Sequence, residues 1–226
     1  QSTVYTAPFN INSTTVLKFF SVDSAGNIED AKSILISFDI TKPISQSSVP
    51  TGNYNEFKTV ILSVSEPSNI YFTDDGSIPT IQSQKYSDPI TIQTSKVIKF
   101  FAVDTVGNQE SVINKVTVTI DQQDPVTTSS VNTGHYNQDQ SVEFTTNEQA
   151  TTFFTLNGST PTESSNSYSN AIPIQQSTTI NYFSKDLAGN IEHEKEVTVT
   201  FISSFSPLPL VFDSEAGVTV FISSIA

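Results

Sequence analysis

Ile98-Lys99-Phe100-Phe101-Ala102-Val103-Asp104-Thr105-Val106-Gly107-Asn108 sets an aromatic and β-branched run directly against an Asp, Gly and Asn turn. The run suits a strand and the ending suits a reversal of the chain. That ending returns as Asp23-Ser24-Ala25-Gly26-Asn27 and as Asp186-Leu187-Ala188-Gly189-Asn190, at offsets of 81 and 82 residues. A fixed period of about 82 in a chain of 226 residues marks tandem domains. Tyr5, Tyr86 and Tyr168 keep the spacing, and Pro8, Pro89 and Pro173 nearly so. Upstream motifs occur only twice. Thr51-Gly52-Asn53-Tyr54-Asn55 pairs with Thr133-Gly134-His135-Tyr136-Asn137, and Asp75-Gly76-Ser77-Ile78-Pro79-Thr80 pairs with Asn157-Gly158-Ser159-Thr160-Pro161-Thr162. The first copy therefore carries only the back half of the repeat.

Within one period the pattern predicts strands and turns, with no convincing helical spacing. Phe57 to Val64 and Asn69 to Thr73 are expected as neighbouring strands around a turn at Pro67-Ser68. Tyr86 to Ile92, Val97 to Val103 and Val112 to Ile120 supply the others, and Val116, Val118 and Ile120 fall on one face of the last. The expected fold is all-β: tandem immunoglobulin-like β-sandwiches without the cysteine pair or tryptophan. Two are complete (42–121 and 122–206), one at the N-terminus is incomplete (1–41), and a strand-forming tail follows (207–226).

Ten Lys+Arg against 23 Asp+Glu give a formal net charge of −13. That balance excludes a basic nucleic-acid surface, and every cation is lysine, so no guanidinium fork is available for phosphate. With no cysteine there is no disulfide framework, thiolate nucleophile or zinc ribbon. No apolar run of about 18 residues predicts a membrane span. The chain opens on Gln1 without the basic and apolar stretches of a signal peptide, which suggests a targeting segment already removed, or an excised piece.

Tyr71-Phe72-Thr73-Asp74-Asp75-Gly76-Ser77-Ile78-Pro79-Thr80, then Tyr86 with Pro89-Ile90, then the stretch from Ile98 to Asn108, resembles the C-terminal immunoglobulin-like domain first named from chitobiase and β-hexosaminidase. The third copy departs from it at Asn157 and at Lys185. The resemblance implies an accessory or stalk module of a secreted or cell-surface protein.

Asp23, Asp104 and Asp186, with Glu29, Asp30, Glu110 and Glu192 nearby, offer the oxygen donors of a calcium site. Asp and Asn capping their own turns give the same pattern without a metal, and no other cofactor is expected. Asp74-Asp75 point apart as neighbours in a turn, which argues against glycosidase chemistry. His135 and His193 are expected at the surface, the latter among Glu192, Glu194, Lys195 and Glu196, so no enzyme activity is expected. Tyr5, Tyr86, Tyr168, Tyr54 and Tyr136 either form a glycan-stacking platform or pack at sandwich corners with bonded hydroxyls. Asn12 and Asn157 fit the N-glycosylation pattern.

The half repeat exposes Leu17, Phe19, Ile34, Ile36 and Phe38 as a strand acceptor. Adding the period to Pro43 and Pro125 reaches Pro207, after which Leu210, Phe212, Val218, Val220 and Ile222 lie on apolar runs fit to be donated. Donation to the next molecule predicts an extracellular or cell-surface homopolymer growing head to tail. The alternatives are a piece of a longer array, a tail that folds back on its own first domain, and a spacer or carbohydrate-binding accessory module of a glycan-degrading enzyme or adhesin.

Overall fold

The computed structural model describes residues 2–202. The chain divides into two compact units, Gln1–Gln122 and Gln123–Ala226. In the first, β1 (Thr15–Phe19) and β2 (Lys32–Ile36) form an antiparallel two-stranded sheet with Leu17 opposite Ile34. Thr14 Oγ1 accepts from the Phe38 N–H at 3.0 Å and ties its open end.

The second repeat is a complete sandwich. Its strands are β3 (Ser45–Ser47), β4 (Gly52–Tyr54), β5 (Lys58–Val60), β6 (Leu62–Val64), β7 (Ser68–Thr73), β8 (Gln84–Lys85), β9 (Ile90–Ile92), β10 (Lys96–Asp104) and β11 (Asn114–Ile120). One layer has the order β4-β11-β10-β7-β8, with β4 parallel to β11. The pairs β3–β6 and β5–β9 form the other. Val60, Leu62 and Ile92 from the paired strands meet Ile70, Phe72, Ile98, Phe100, Val116 and Val118 from the larger sheet. Each such side chain contributes roughly 1.5–3 kcal/mol when fully buried.

The predicted strand over 57–64 changes partner at Ile61: β5 pairs with β9, whereas β6 pairs with β3. Ile61 turns outward, and its N–H donates to Ser48 Oγ at 2.9 Å while its carbonyl accepts from the Ser48 N–H at 2.9 Å. Nor does β7 pair with β6, so Pro67-Ser68 carries the chain between layers instead of closing a hairpin. The predicted strands over 86–92 and 112–120 shorten at their starts, where Val112 and Ile113 are exposed loop residues.

The second unit repeats the plan with β12 (Thr127–Ser129), β13 (Gly134–Tyr136), β14 (Gln140–Val142), β15 (Phe144–Thr146), β16 (Ala150–Thr155), β17 (Asn166–Ser167), β18 (Ile172–Ile174), β19 (Thr178–Asp186) and β20 (Lys195–Phe201). Its large sheet runs β13-β20-β19-β16-β17. Phe144 anchors the core, with its ring 4.4 Å from Tyr182 and 5.2 Å from Tyr168.

Candidate functional site

The residues expected as acceptors stand at positions that are core in the next repeat. Both repeats pair their last two long strands in the same register, so Leu17, Phe19, Ile34, Ile36 and Phe38 stand where Ile98, Phe100, Val116, Val118 and Ile120 stand one repeat later. Phe100 is 1% exposed; Phe19 is 46% and Ile34 52% exposed. Leu17 and Ile36 are half-buried and Phe38 is exposed. The difference lies in the opposing layer. Residues 2–38 contain no counterpart of β3 to β7, which supply Val60, Leu62, Ile70 and Phe72 over Ile98 and Phe100. The donors Leu210, Phe212, Val218, Val220 and Ile222 lie outside the described residues.

The Asp and Asn motifs are turns. Asp104 Oδ1 accepts the N–H groups of Val106, Gly107 and Asn108 at 2.9, 2.7 and 2.8 Å, and its Oδ2 accepts from Asn108 Nδ2 at 2.7 Å. Asp23 and Asp186 repeat the arrangement with Asn27 and Asn190. Both oxygens of each calcium candidate are thus engaged within its own turn. Burial is the largest influence on Asp104 and raises its pKa, but the bonds from Asn108, Val106 and Gly107 together outweigh it and hold the carboxyl below its usual range. Gly107 has φ +99 with no atom within 4 Å of a built Cβ, so Gly107→Ala meets backbone strain alone. A loss of about 1–2 kcal/mol is expected in urea unfolding, with unchanged spectra of the folded state.

Asp39, Glu66 and Asp104 bring carboxylate oxygens within 4.8 Å of one another. Glu66 is held above its usual range by burial first, then by the charges of Asp39 and Asp104.

The sequence offers Glu110 and Glu192 only as extra oxygen donors near the turn aspartates; the structure gives them another role. They are 7% and 6% exposed. Glu110 Oε1 accepts the Ser45 N–H at 2.9 Å and Asn114 Nδ2 at 2.9 Å; Oε2 accepts Ser45 Oγ at 2.5 Å and the Ala102 N–H at 2.9 Å. Glu192 Oε2 accepts the Thr127 N–H at 2.9 Å and pairs with Lys195 at 2.8 Å. Each glutamate clasps the first strand of its sandwich to the last hairpin. A signal was present: Glu29, Glu110 and Glu192 each follow the turn Asp by six residues, and Ser45 and Thr127 each follow a proline by two. Glu29 has no such first strand to hold among the described residues and pairs with Lys32 at 3.0 Å.

Tyr86 packs edge-on against Phe72, and the Tyr54 and Tyr136 hydroxyls donate to the carbonyls of Pro50 and Asn132 at 2.8 and 2.7 Å. With Tyr168 against Phe144, these four tyrosines are corner residues; Tyr5 remains exposed. Asp74 pairs with Lys96, while Asp75 caps Ser77, accepting its N–H at 2.9 Å. Asn12, Asn157, His135 and His193 are exposed. A cleft of about 400 Å³ at Phe154, Asn157 and Asn166 is lined by no titratable side chain.

No curated relative matches the sequence. Among solved structures, the fibronectin(III)-like modules of Clostridium thermocellum CbhA align at 13% identity over 70% of this chain and 94% of that one, with a TM-score of 0.40. The D00-D0 domain of Intimin aligns at 14% identity over 71% and 100%, with a TM-score of 0.35. Drosophila N-cadherin EC1-3 aligns at 10% identity over 88% and 92%, with a TM-score of 0.25. The model of the chitobiase/β-hexosaminidase C-terminal domain matches residues 49–114 and 131–196, more than half of the sequence. On that match and on the two sandwiches it covers, the chain belongs to the chitobiase/β-hexosaminidase C-terminal domain family.

Proposed function

We propose that this chain is a non-catalytic structural subunit of an extracellular or cell-surface fibre, built head to tail by strand donation. The observation that carries the reading is the exposure of Phe19 and Ile34 at positions whose counterparts Phe100 and Val116 are core. In the complete repeat β10 is flanked by β11 and β7; in the first repeat β1 pairs with β2 alone among the described residues. A donated strand therefore takes the place of β7. There Ile70 and Phe72 point into the core and Tyr71 stacks outward on Phe101, with ring centroids 5.7 Å apart. Val220-Phe221-Ile222 repeats that order of side chains, and it aligns Phe221 with Phe20, the counterpart of Phe101, which is 42% exposed. Pro209 falls at the position of Ser45 and Thr127 and has no N–H to give Glu29. Glu29 accordingly stays with Lys32, and ladder bonds and apolar side chains hold the donor.

The chain has no cysteine, so a designed pair is unambiguous. Tyr71 and Phe101 are direct cross-strand partners, a separation of roughly 4.5–5.5 Å between Cα atoms that a disulfide spans. A Phe20→Cys, Phe221→Cys variant is expected to give a reductant-sensitive ladder of oligomers, and deletion of residues 207–226 is expected to leave single chains. A covalently closed monomer would place the tail in its own first domain, and unchanged fibres after the deletion would remove the tail from assembly; either overturns the proposal.

A further inference from the structure

The outer face of the large sheet in the second repeat collects positive charge in a chain whose net charge is −13. Lys99 and Lys115 are direct cross-strand partners, and Phe101, two residues beyond Lys99, is opposite Tyr71, which in turn is opposite Lys85. All five therefore stand on the face opposite Ile98 and Phe100. The Lys85 ammonium lies 6.0 Å from the Tyr71 ring centroid. Lys32, Lys58, Lys96, Lys185 and Lys195 have carboxylate partners; among the described residues Lys85, Lys99 and Lys115 have none. Asp75 is the acid beside them. Its carboxyl is held low chiefly by the Ser77 hydroxyl, with a smaller effect of Lys99, and it remains engaged with Ser77.

Like charges directly opposite on a sheet destabilise it, so the Lys99–Lys115 pair is a standing deficit that an anion relieves. The corresponding positions of the third repeat are Ser167, Asn181 and Glu196, and the first repeat pairs Lys18 with Ser33. Strand spacing and rise put Lys115 next to Lys99 and Lys85 two strands beyond it, roughly 12 Å from Lys99 and roughly 16 Å from Lys115 between Cα atoms, so the three form an extended row across the face rather than one cluster. Thr73 and Thr117 stand on the same face beside the lysines, with Val97 next to Lys99 and the buried Phe101 under the Tyr71 ring. Protein interfaces are depleted in lysine, and a nucleic acid, whose affinity rests on many phosphate contacts, meets the repulsion of the remaining acidic chain.

We infer that the Lys85, Lys99 and Lys115 face, with the Tyr71 ring among them, binds an acidic polysaccharide, its carboxylates on the ammonium groups and a sugar face on the ring. The partner is chosen by charge complementarity, and the inference is independent of strand donation. The five tyrosines at the recurring positions play no part in it.

Polygalacturonate is the probe, with dextran as the neutral control, in affinity electrophoresis of the full chain at low salt. Retardation by polygalacturonate but not dextran is expected. Lys85→Gln, Lys99→Gln and Lys115→Gln together are expected to weaken it at least tenfold, and Lys58→Gln to leave it unchanged. The triple variant relieves the opposed pair, so its melting temperature is not expected to fall. Absence of retardation, equal retardation by dextran, an unaffected triple variant or stronger retention by single-stranded DNA would each overturn the inference.

Discussion

Glu110→Ala is expected to lower the unfolding free energy by about 2–4 kcal/mol in urea denaturation, more than any other exchange of a polar residue in the second repeat. The magnitude follows from the donors left behind: the Ser45 and Ala102 N–H groups, the Ser45 hydroxyl and the Asn114 amide all point at the carboxylate. A buried donor without its acceptor costs roughly 1–3 kcal/mol, and the hydroxyl and amide recover part of the loss by turning. Glu29→Ala is the internal control. That side chain holds the same place in a repeat with no first strand among the described residues, and its ion pair with the exposed Lys32 and a Ser21 hydrogen bond are partners that solvent replaces, so a much smaller loss is expected. Equal losses at Glu110 and Glu29 would show that the clasp contributes nothing.

Phe100→Ala and Phe19→Ala should differ as strongly. The residues are equivalent in register, yet Phe100 is enclosed by Val60, Leu62 and Phe72 while Phe19 faces solvent. A buried phenylalanine truncated to alanine costs about 3–5 kcal/mol, from lost transfer energy and the cavity left behind. For Phe19 in the single chain the loss is expected below about 1 kcal/mol, because little apolar area leaves water at that position. Under strand donation the order reverses in the assembled material: Phe19→Ala abolishes fibres in negative-stain images, while the truncation at Phe100 weakens a repeat already closed. Fibres unaffected by Phe19→Ala, together with the deletion result, would place assembly elsewhere on the chain.

The period of the chain, its strand content and its turns were legible in the sequence, because each rests on chemistry within a few residues. Asp104 caps Val106, Gly107 and Asn108 whatever the rest of the molecule does, and Val116 and Val118 share a face by the two-residue period of any strand. What only the tertiary structure decided depends on which strands become neighbours. Ile61 looks like the middle of one strand, yet the chain changes partner there, since β9 and β3 compete for adjacent stretches of the same segment. Glu110 reads as a spare oxygen donor beside the turn until the fold brings Ser45 across 65 residues to bond it. Lys85, Lys99 and Lys115 are scattered singly through the sequence, and register alone sets them on one face. Long-range pairing fixes register, and register fixes which side chains meet; no local pattern contains that information.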